Sequence, residues 1–193
     1  MTWDWFKINW MYAALVASLL LFALVPLLYE QFGLPLLLVY IQLPIYMLHQ
    51  LEEHHQDRFR LWFNEVLGGG REALSTSAVV FINVVGVWIV NLLALYLAHF
   101  ASIGYGLIAV YLTLVNAVVH IAGAIIQRRY NPGLLTAIAL FLPVGIWALR
   151  VISLLPNVPL VDHAAALGLV VLLHGAIVFY VKVRIAAPSL GNP

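Results

Sequence analysis

The sequence predicts an all-α membrane protein, a polytopic bundle of six transmembrane helices that forms a single domain over residues 1–193. Of the 193 residues, 64% are hydrophobic and 9% are charged, and the mean hydropathy is +1.01. Such a chain has too little polar surface for a water-soluble globule. Six apolar runs are each about 20 residues long, which is enough to cross a hydrocarbon core of about 30 Å. Cysteine is absent, so disulfides and thiolate ligands are excluded.

The six runs follow one another with short connections. The first is longer than the apolar region of a signal peptide and has no convincing cleavage site, so we interpret it as an anchored helix. Prolines inside the runs are tolerated in membrane helices, where neighbours can satisfy the freed backbone groups. Asn131 and Pro132 give a cap and a first-turn signal for the fifth helix. The predicted helices cover residues 9–29, 34–56, 76–98, 104–127, 133–154 and 163–184.

The cations fall almost entirely on one side of the predicted bundle. Only Arg150 lies on the other side. The positive-inside bias therefore predicts that both termini are cytoplasmic and that the protein is a multi-pass protein of a cell membrane. The net charge of +1 provides no basic stripe, so a nucleic-acid partner is not expected. The cations on the cytoplasmic side are Lys7, Arg58, Arg60, Arg71, Arg128, Arg129, Lys182 and Arg184.

A pair of carboxylates lies in a run that ought to be in lipid. His49, Glu52 and Glu53 form the motif HxxEE on the second helix. Ionised groups at membrane depth are costly, and they are usually paired, bound to metal or functional. At about 100° per residue, His49 and Glu53 share a polar stripe with Gln42 and Tyr46, and Glu52 lies beside His49. One face of this helix is therefore predicted to be polar.

Two further helices carry polar residues at a similar depth. Asn116 and His120 follow helical spacing on the fourth helix, and His174 interrupts an apolar run on the sixth. With about 1.5 Å of rise per residue, the three histidines fall within about one or two turns of each other in the cytoplasmic half. The sequence therefore predicts a cluster of His49, Glu52, Glu53, His120 and His174, with Asn116, Gln42 and Tyr46 around it.

Imidazoles and carboxylates together suit a divalent metal. Such donors bind zinc, non-haem iron or manganese, and we expect zinc in preference to iron. One glutamate would be a ligand and the other would be the base toward a bound water, and the helical spacing allows either assignment for Glu52 and Glu53. His54 follows His49 by five residues, so the HExxH and HxxEH signatures of zinc proteases are not met. The leading hypothesis is an intramembrane hydrolase that acts on a lipid or another hydrophobic small molecule.

Other functions remain open on this evidence. Non-haem iron oxidation of a lipid or terpenoid chain would use both glutamates as ligands. A proton- or metal-coupled transporter uses the same residue types, but the sequence lacks the internal repeats that are typical of transporters. A metal-free isomerase with Glu53 as acid and base would leave the histidines without a role. His54 and His55 are expected at the solvated end of the second helix, and the oligomeric state is undetermined.

The chain resembles the HXXEE-motif membrane proteins, a group of small polytopic proteins found mainly in bacteria. The resemblance rests on His49, Glu52 and Glu53, on Asn116 and His120, and on the turn Tyr130, Asn131, Pro132, Gly133 that leads to Thr136. It covers most of the chain from the second helix to the sixth. It implies a membrane enzyme that depends on a metal, in a bacterial inner membrane, and it brings no substrate.

Overall fold

A helical hairpin forms the N-terminal part of the computed structural model, which describes residues 2–186. Helix α1 (Trp3–His54) changes direction at Gly33, whose backbone has φ 65° and ψ 169°. Glycine adopts this positive φ without the steric cost that a Cβ would bring. The arms on either side of Gly33 lie antiparallel, because Ser18 Oγ donates to the Pro44 carbonyl at 2.8 Å and Tyr40 donates to the Leu21 carbonyl at 2.8 Å.

Two short segments follow the hairpin. A 3₁₀ turn (His55–Asp57) contains left-handed conformations at Gln56 and Asp57, and it leads into α2 (Arg58–Val66). Helix α2 is amphipathic, and it ends shortly before a run of three glycines. The chain thus leaves the hairpin through a turn and continues into α2, whose Phe59 and Phe63 pack against residues of the hairpin and of α3.

Four more long helical stretches complete the described part of the chain. The first consists of α3 (Thr76–Asn83), a π-helical turn (Val84–Ile89) and α4 (Val90–Phe100). The second consists of a 3₁₀ turn (Ile103–Gly106) and α5 (Leu107–Gln127). The third consists of α6 (Leu134–Thr136), a second π-helical turn (Ala137–Phe141) and α7 (Leu142–Ser153). The fourth is α8 (Leu160–Ala186), and the described residues contain no strand.

The all-helical fold is confirmed, but the number of separate membrane helices is wrong. Within the described residues, five helical stretches are long and apolar enough to cross a membrane, and six were predicted. The predicted helices 9–29 and 34–56 both lie in one stretch, Asp4–Val66. The physical reason is that the reversal at Gly33 needs a single residue outside helical geometry, so no loop separates the two arms.

Apolar side chains from several helices pack around the second arm of α1. Tyr46 and Ile45 of this arm join Leu112 and Ala117 of α5 and Phe141 of the second π-helical turn in one buried cluster. A second cluster lies toward Gly33 and a third toward α2. The HxxEE motif continues the same arm from the first of these clusters, so it begins inside the protein core.

Candidate metal site

Three of the predicted site residues converge. His49 and Glu53 lie one turn apart on α1, and His120 lies on α5. The His120 Nε2 atom is 3.1 Å from Glu53 Oε1, and the His49 Nε2 atom is 3.4 Å from Glu53 Oε2. One ligand atom from each of the three residues lies within 4.8 Å of the other two, and the residues are 0 to 5% exposed. This buried group could hold a metal ion.

A hydroxyl group fixes the orientation of the His49 ring. His49 Nδ1 lies 2.7 Å from Thr136 Oγ1. The single hydroxyl proton of Thr136 is directed to the Glu52 carboxylate, so the oxygen must accept a hydrogen bond from His49 Nδ1. The Nδ1 atom therefore carries the proton, and a neutral His49 presents the lone pair of Nε2 to the cluster.

An amide group does the same for His120. His120 Nδ1 lies 2.7 Å from Asn131 Oδ1, while Asn131 Nδ2 donates to the backbone carbonyl of His120 at 2.9 Å. The bond to the His120 carbonyl must come from the amide nitrogen of Asn131, because a backbone carbonyl oxygen can only accept. The other end of the amide, Oδ1, therefore faces the imidazole ring. Asn131 Oδ1 is therefore an acceptor for the Nδ1 proton, and Nε2 of a neutral His120 presents its lone pair to Glu53.

With both imidazoles neutral, the three facing groups offer only acceptor atoms. Two imidazole lone pairs and a carboxylate then face one another in a buried space. His49 Nε2 has no hydrogen-bond partner among the described residues. A divalent ion fits this donor set, because metal-bound histidines usually donate their second ring N–H to a neighbouring group, as His49 and His120 do here.

Gly133 closes the space over the cluster. Its φ is +100°, and a Cβ atom built there would lie 2.6 Å from His120 Cε1 and 2.8 Å from His49 Cε1. The same atom would lie 2.9 Å from Glu53 Cγ. Only glycine allows the backbone to approach all three side chains at once. The turn after α5 therefore forms a wall of the candidate site.

Glu52 lies outside this group, although the sequence suggested it as a ligand or base. Its Oε1 atom accepts from the Tyr130 hydroxyl at 2.6 Å and from the Leu135 amide at 3.1 Å. Its Oε2 atom accepts from both the amide and the hydroxyl of Thr136. These four bonds use the acceptor capacity of a carboxylate, so Glu52 caps the first turn of α6 and has no free lone pair for a metal.

Tyr130 remains a hydrogen-bond donor to Glu52 over the physiological pH range. Partial burial raises the pKa of the Tyr130 phenol, and the hydrogen bond to the Glu52 carboxylate raises it further, to about 12. The protonated phenol therefore donates its hydrogen bond to Glu52 at neutral pH.

His174 also lies outside the group of three. Its Nδ1 atom bonds to the Val170 carbonyl of its own helix at 3.0 Å. The predicted depth on α8 does not determine which way the side chain faces, and the ring is only partly buried. The group of three ligand atoms does not include His174, and its role as a ligand stays a prediction.

Two of the three residues predicted around the site, Asn116 and Tyr46, lie next to His49. Asn116 Nδ2 donates to the Tyr46 hydroxyl, and the Tyr46 ring lies 5.8 Å from the His49 ring. Gln42 donates to the Leu38 carbonyl of its own helix at 2.9 Å. Tyr46 thus supports the ring of His49, whereas the described contacts of Gln42 are remote from the metal ligands.

His54 was expected at the solvated end of the helix and is instead 3% exposed. Its Nε2 atom lies 3.4 Å from Glu53 Oε2 and accepts from Asn83 Nδ2 at 3.2 Å. Asn83 accepts from Gln50, which accepts from the Trp88 indole. The indole N–H can only donate, so it orients the whole chain of hydrogen bonds. The prediction for His54 is wrong because Trp10, on the first arm of the hairpin, packs on the ring and covers it.

The sequence patterns predicted no role in the site for Asn131, Gly133 or Thr136, although they include the turn from Tyr130 to Gly133 that leads to Thr136. The signal was the Asn-Pro-Gly sequence directly after the helix that carries His120. Such a turn returns the chain toward the helix it has just left, so its polar side chains can reach that helix. The π-helical turn that follows Thr136 places the Phe141 ring 4.3 Å from the His49 ring, and such turns are frequent at functional sites.

Comparison with known proteins agrees with the motif. A protein family described as "Protein of unknown function with HXXEE motif" matches residues 40–148, which include the motif, His120 and the turn through Gly133. The search of curated proteins and the search of solved structures each gave no match. Since the matched region covers more than half of the 193 residues, the chain belongs to the HXXEE motif family.

Proposed function

We propose that this protein is an intramembrane metal-dependent enzyme whose ion is held by His49, His120 and Glu53. The observation that carries the proposal is the convergence of two Nε2 lone pairs on a buried carboxylate, with each Nδ1 held by a separate partner. With both imidazoles neutral, three buried acceptors face one another, which is costly unless a positive charge lies between them. A bound cation removes this cost.

Hydrolysis is the reaction that we rank first, with zinc as the metal. Two histidines and one glutamate are a known ligand set of hydrolytic zinc enzymes, in which a further position stays open for water or substrate. A metal ion in such a site activates water and polarises a carbonyl oxygen. Glu53 directs one oxygen toward each imidazole, so one can bind the ion while the other accepts a proton from water. In this assignment Glu52 stabilises the turn that forms the wall of the site, through its hydrogen bonds to Tyr130, Leu135 and Thr136.

The surroundings favour a lipid or another hydrophobic molecule as substrate. Each ligand lies in a helical stretch that is long and apolar enough to cross a membrane. In the proposed arrangement both arms of α1 cross the bilayer, which gives six crossings and two cytoplasmic termini. The cluster then lies in the cytoplasmic half of the membrane, where a polar headgroup and an apolar chain are both available.

The donor set also favours a second candidate, non-haem iron oxidation of a lipid or terpenoid chain. A set of two histidines and one carboxylate with open positions is typical of non-haem iron oxygenases. The two candidates differ in the metal, and this difference can be measured.

The first test is the metal content of the purified protein by elemental mass spectrometry, with His49→Ala, His120→Ala and His163→Ala in parallel. His163 bonds to Tyr111, away from the cluster, and is the matched control. We expect about one zinc per chain in the wild type and in the control, and a loss in the other two variants. Iron in place of zinc would support the oxygenase. No stoichiometric metal would contradict both candidates.

The second test is lipid turnover in nanodiscs that contain a total lipid extract. Zinc-loaded wild type is expected to release fatty acid or another polar cleavage product, detected by mass spectrometry. Glu53→Gln should be inactive because it loses a ligand oxygen. Equal release by both proteins would exclude Glu53 from the reaction.

A further inference from the structure

An apolar groove lies on the surface between α3 and the C-terminal part of α8, apart from the metal site. It has a volume of about 320 Å³. Both walls belong to stretches long and apolar enough to span a membrane. Its polar atoms are few, and the aromatic side chains at its edges are exposed. It is lined by Ala78, Phe81, Ile82, Ala176, Ile177 and Tyr180.

The two walls of the groove run in opposite directions. Arg71 Nη1 donates to the Ile185 carbonyl at 2.7 Å, which brings the chain just before α3 to the end of α8. From that point α3 continues to Ala78, while α8 leads back to Tyr180. One end of the groove therefore lies beside Arg71 and the last turns of α8.

Two cations lie at this end. Arg71 is exposed beside Ile185, and Arg184 is exposed four residues after Tyr180, which places both α8 residues on the same face of the helix. Glu72, next to Arg71 in sequence, pairs with Arg60 at 3.3 Å. In residues 2–186 neither Arg71 nor Arg184 forms an ion pair with a carboxylate. The groove thus combines an apolar surface with two positive charges that lack an anionic partner in the described part of the chain.

We infer that this groove binds an anionic phospholipid, with one acyl chain along α3 and α8 and the phosphate beside Arg71 and Arg184. Its volume lies in the range of small-molecule sites and suits a flexible hydrocarbon chain. The positive end selects for a negative headgroup, since basic residues near a membrane surface attract anionic lipids. The binding does not depend on the metal or on the proposed reaction.

The test is native mass spectrometry of the full chain in detergent with equal amounts of phosphatidylglycerol and phosphatidylcholine that have identical acyl chains. We expect a preference for phosphatidylglycerol on the order of tenfold, because two cations contribute to the headgroup contact. The Arg71→Gln, Arg184→Gln double variant should bind both lipids equally. Both side chains are exposed, so the fold should tolerate the change.

A second pair of variants tests the groove itself. Ala176→Trp fills the groove, whereas Ala165→Trp adds the same side chain at an exposed position on the same helix. Lipid retention should fall in Ala176→Trp and stay at the wild-type level in Ala165→Trp. Equal binding of both lipids by the wild type, or full retention by Ala176→Trp, would overturn the proposal. Metal content is expected to be the same in all these variants.

Discussion

Thr136 connects the two halves of the HxxEE motif through one hydroxyl group. Its proton is directed to Glu52, and its oxygen accepts from His49 Nδ1. Glu52 therefore acts on the metal site through Thr136, by holding the hydroxyl that sets the orientation of the His49 ring. A partner of this kind fixes the ring of a metal-binding histidine and raises its basicity.

Thr136→Val should weaken metal binding by about 10- to 100-fold, since His49 loses the acceptor that fixes its tautomer. Thr136→Ser keeps the hydroxyl and should bind as the wild type does. Thr113→Val is the matched control, because the Thr113 hydroxyl donates to the Ala109 carbonyl of its own helix. Competition with a chromophoric chelator measures the affinities. Equal affinity in Thr136→Val and wild type would exclude this role.

The two glutamates should respond differently to the same substitution. Glu53→Gln removes a ligand oxygen, and we expect the protein to lose its metal. Glu52→Gln replaces an acceptor oxygen by a donor at the start of α6, so we expect a lower melting temperature with metal still bound at high metal concentration. Elemental analysis and a thermal shift assay measure both quantities. A complete loss of metal in Glu52→Gln alone would reverse the assignment.

Gly133→Ala tests the wall of the site. A Cβ atom at φ +100° is strained, and it would also displace the rings of His120 and His49. We expect a loss of roughly 1–3 kcal/mol in stability and weaker metal binding. Gly175→Ala on α8 is the control, because nothing lies within 4 Å of a Cβ there. Unchanged metal affinity in Gly133→Ala would show that the turn does not enclose the site.

At the scale of elements, the hairpin of α1 brings the HxxEE motif back to the end of the bundle at which α1 begins. Gly33 allows the reversal, and the contacts from Ser18 to Pro44 and from Tyr40 to Leu21 hold the arms together. Hydropathy predicted both arms, since apolar length is a property of composition. It could not reveal that the arms form one helical stretch, because this depends on the backbone angles of a single glycine.

Single cysteines can test the proposed six crossings, because the natural chain contains no cysteine. Glu30 and Glu65 are both exposed, the first near the hairpin bend and the second in α2. Glu30→Cys should react with a membrane-impermeant maleimide in intact cells. Glu65→Cys should react only after permeabilisation. Labelling of both positions from the same side would contradict the hairpin as two crossings.

At the scale of the whole molecule, the site joins residues that are far apart in sequence. The convergence of His49 and His120 could be predicted, because the rise per residue along two apolar runs places them at similar heights in the bundle. The rotation of each helix about its own axis could not be predicted from the sequence. It decides that Glu53 faces His120 while Glu52 faces Thr136, and that His174 bonds within its own helix.

The most direct test of the metal site is X-ray absorption spectroscopy at the zinc edge of the zinc-loaded protein. We expect two imidazole nitrogens at about 2.0–2.1 Å and carboxylate or water oxygens at similar distances. His120→Ala should not retain the ion after removal of free zinc, so the two-imidazole signal should be absent from this variant. A spectrum without imidazole scattering, or one that is the same in the wild type and in His120→Ala, would contradict a metal bound by His49, Glu53 and His120.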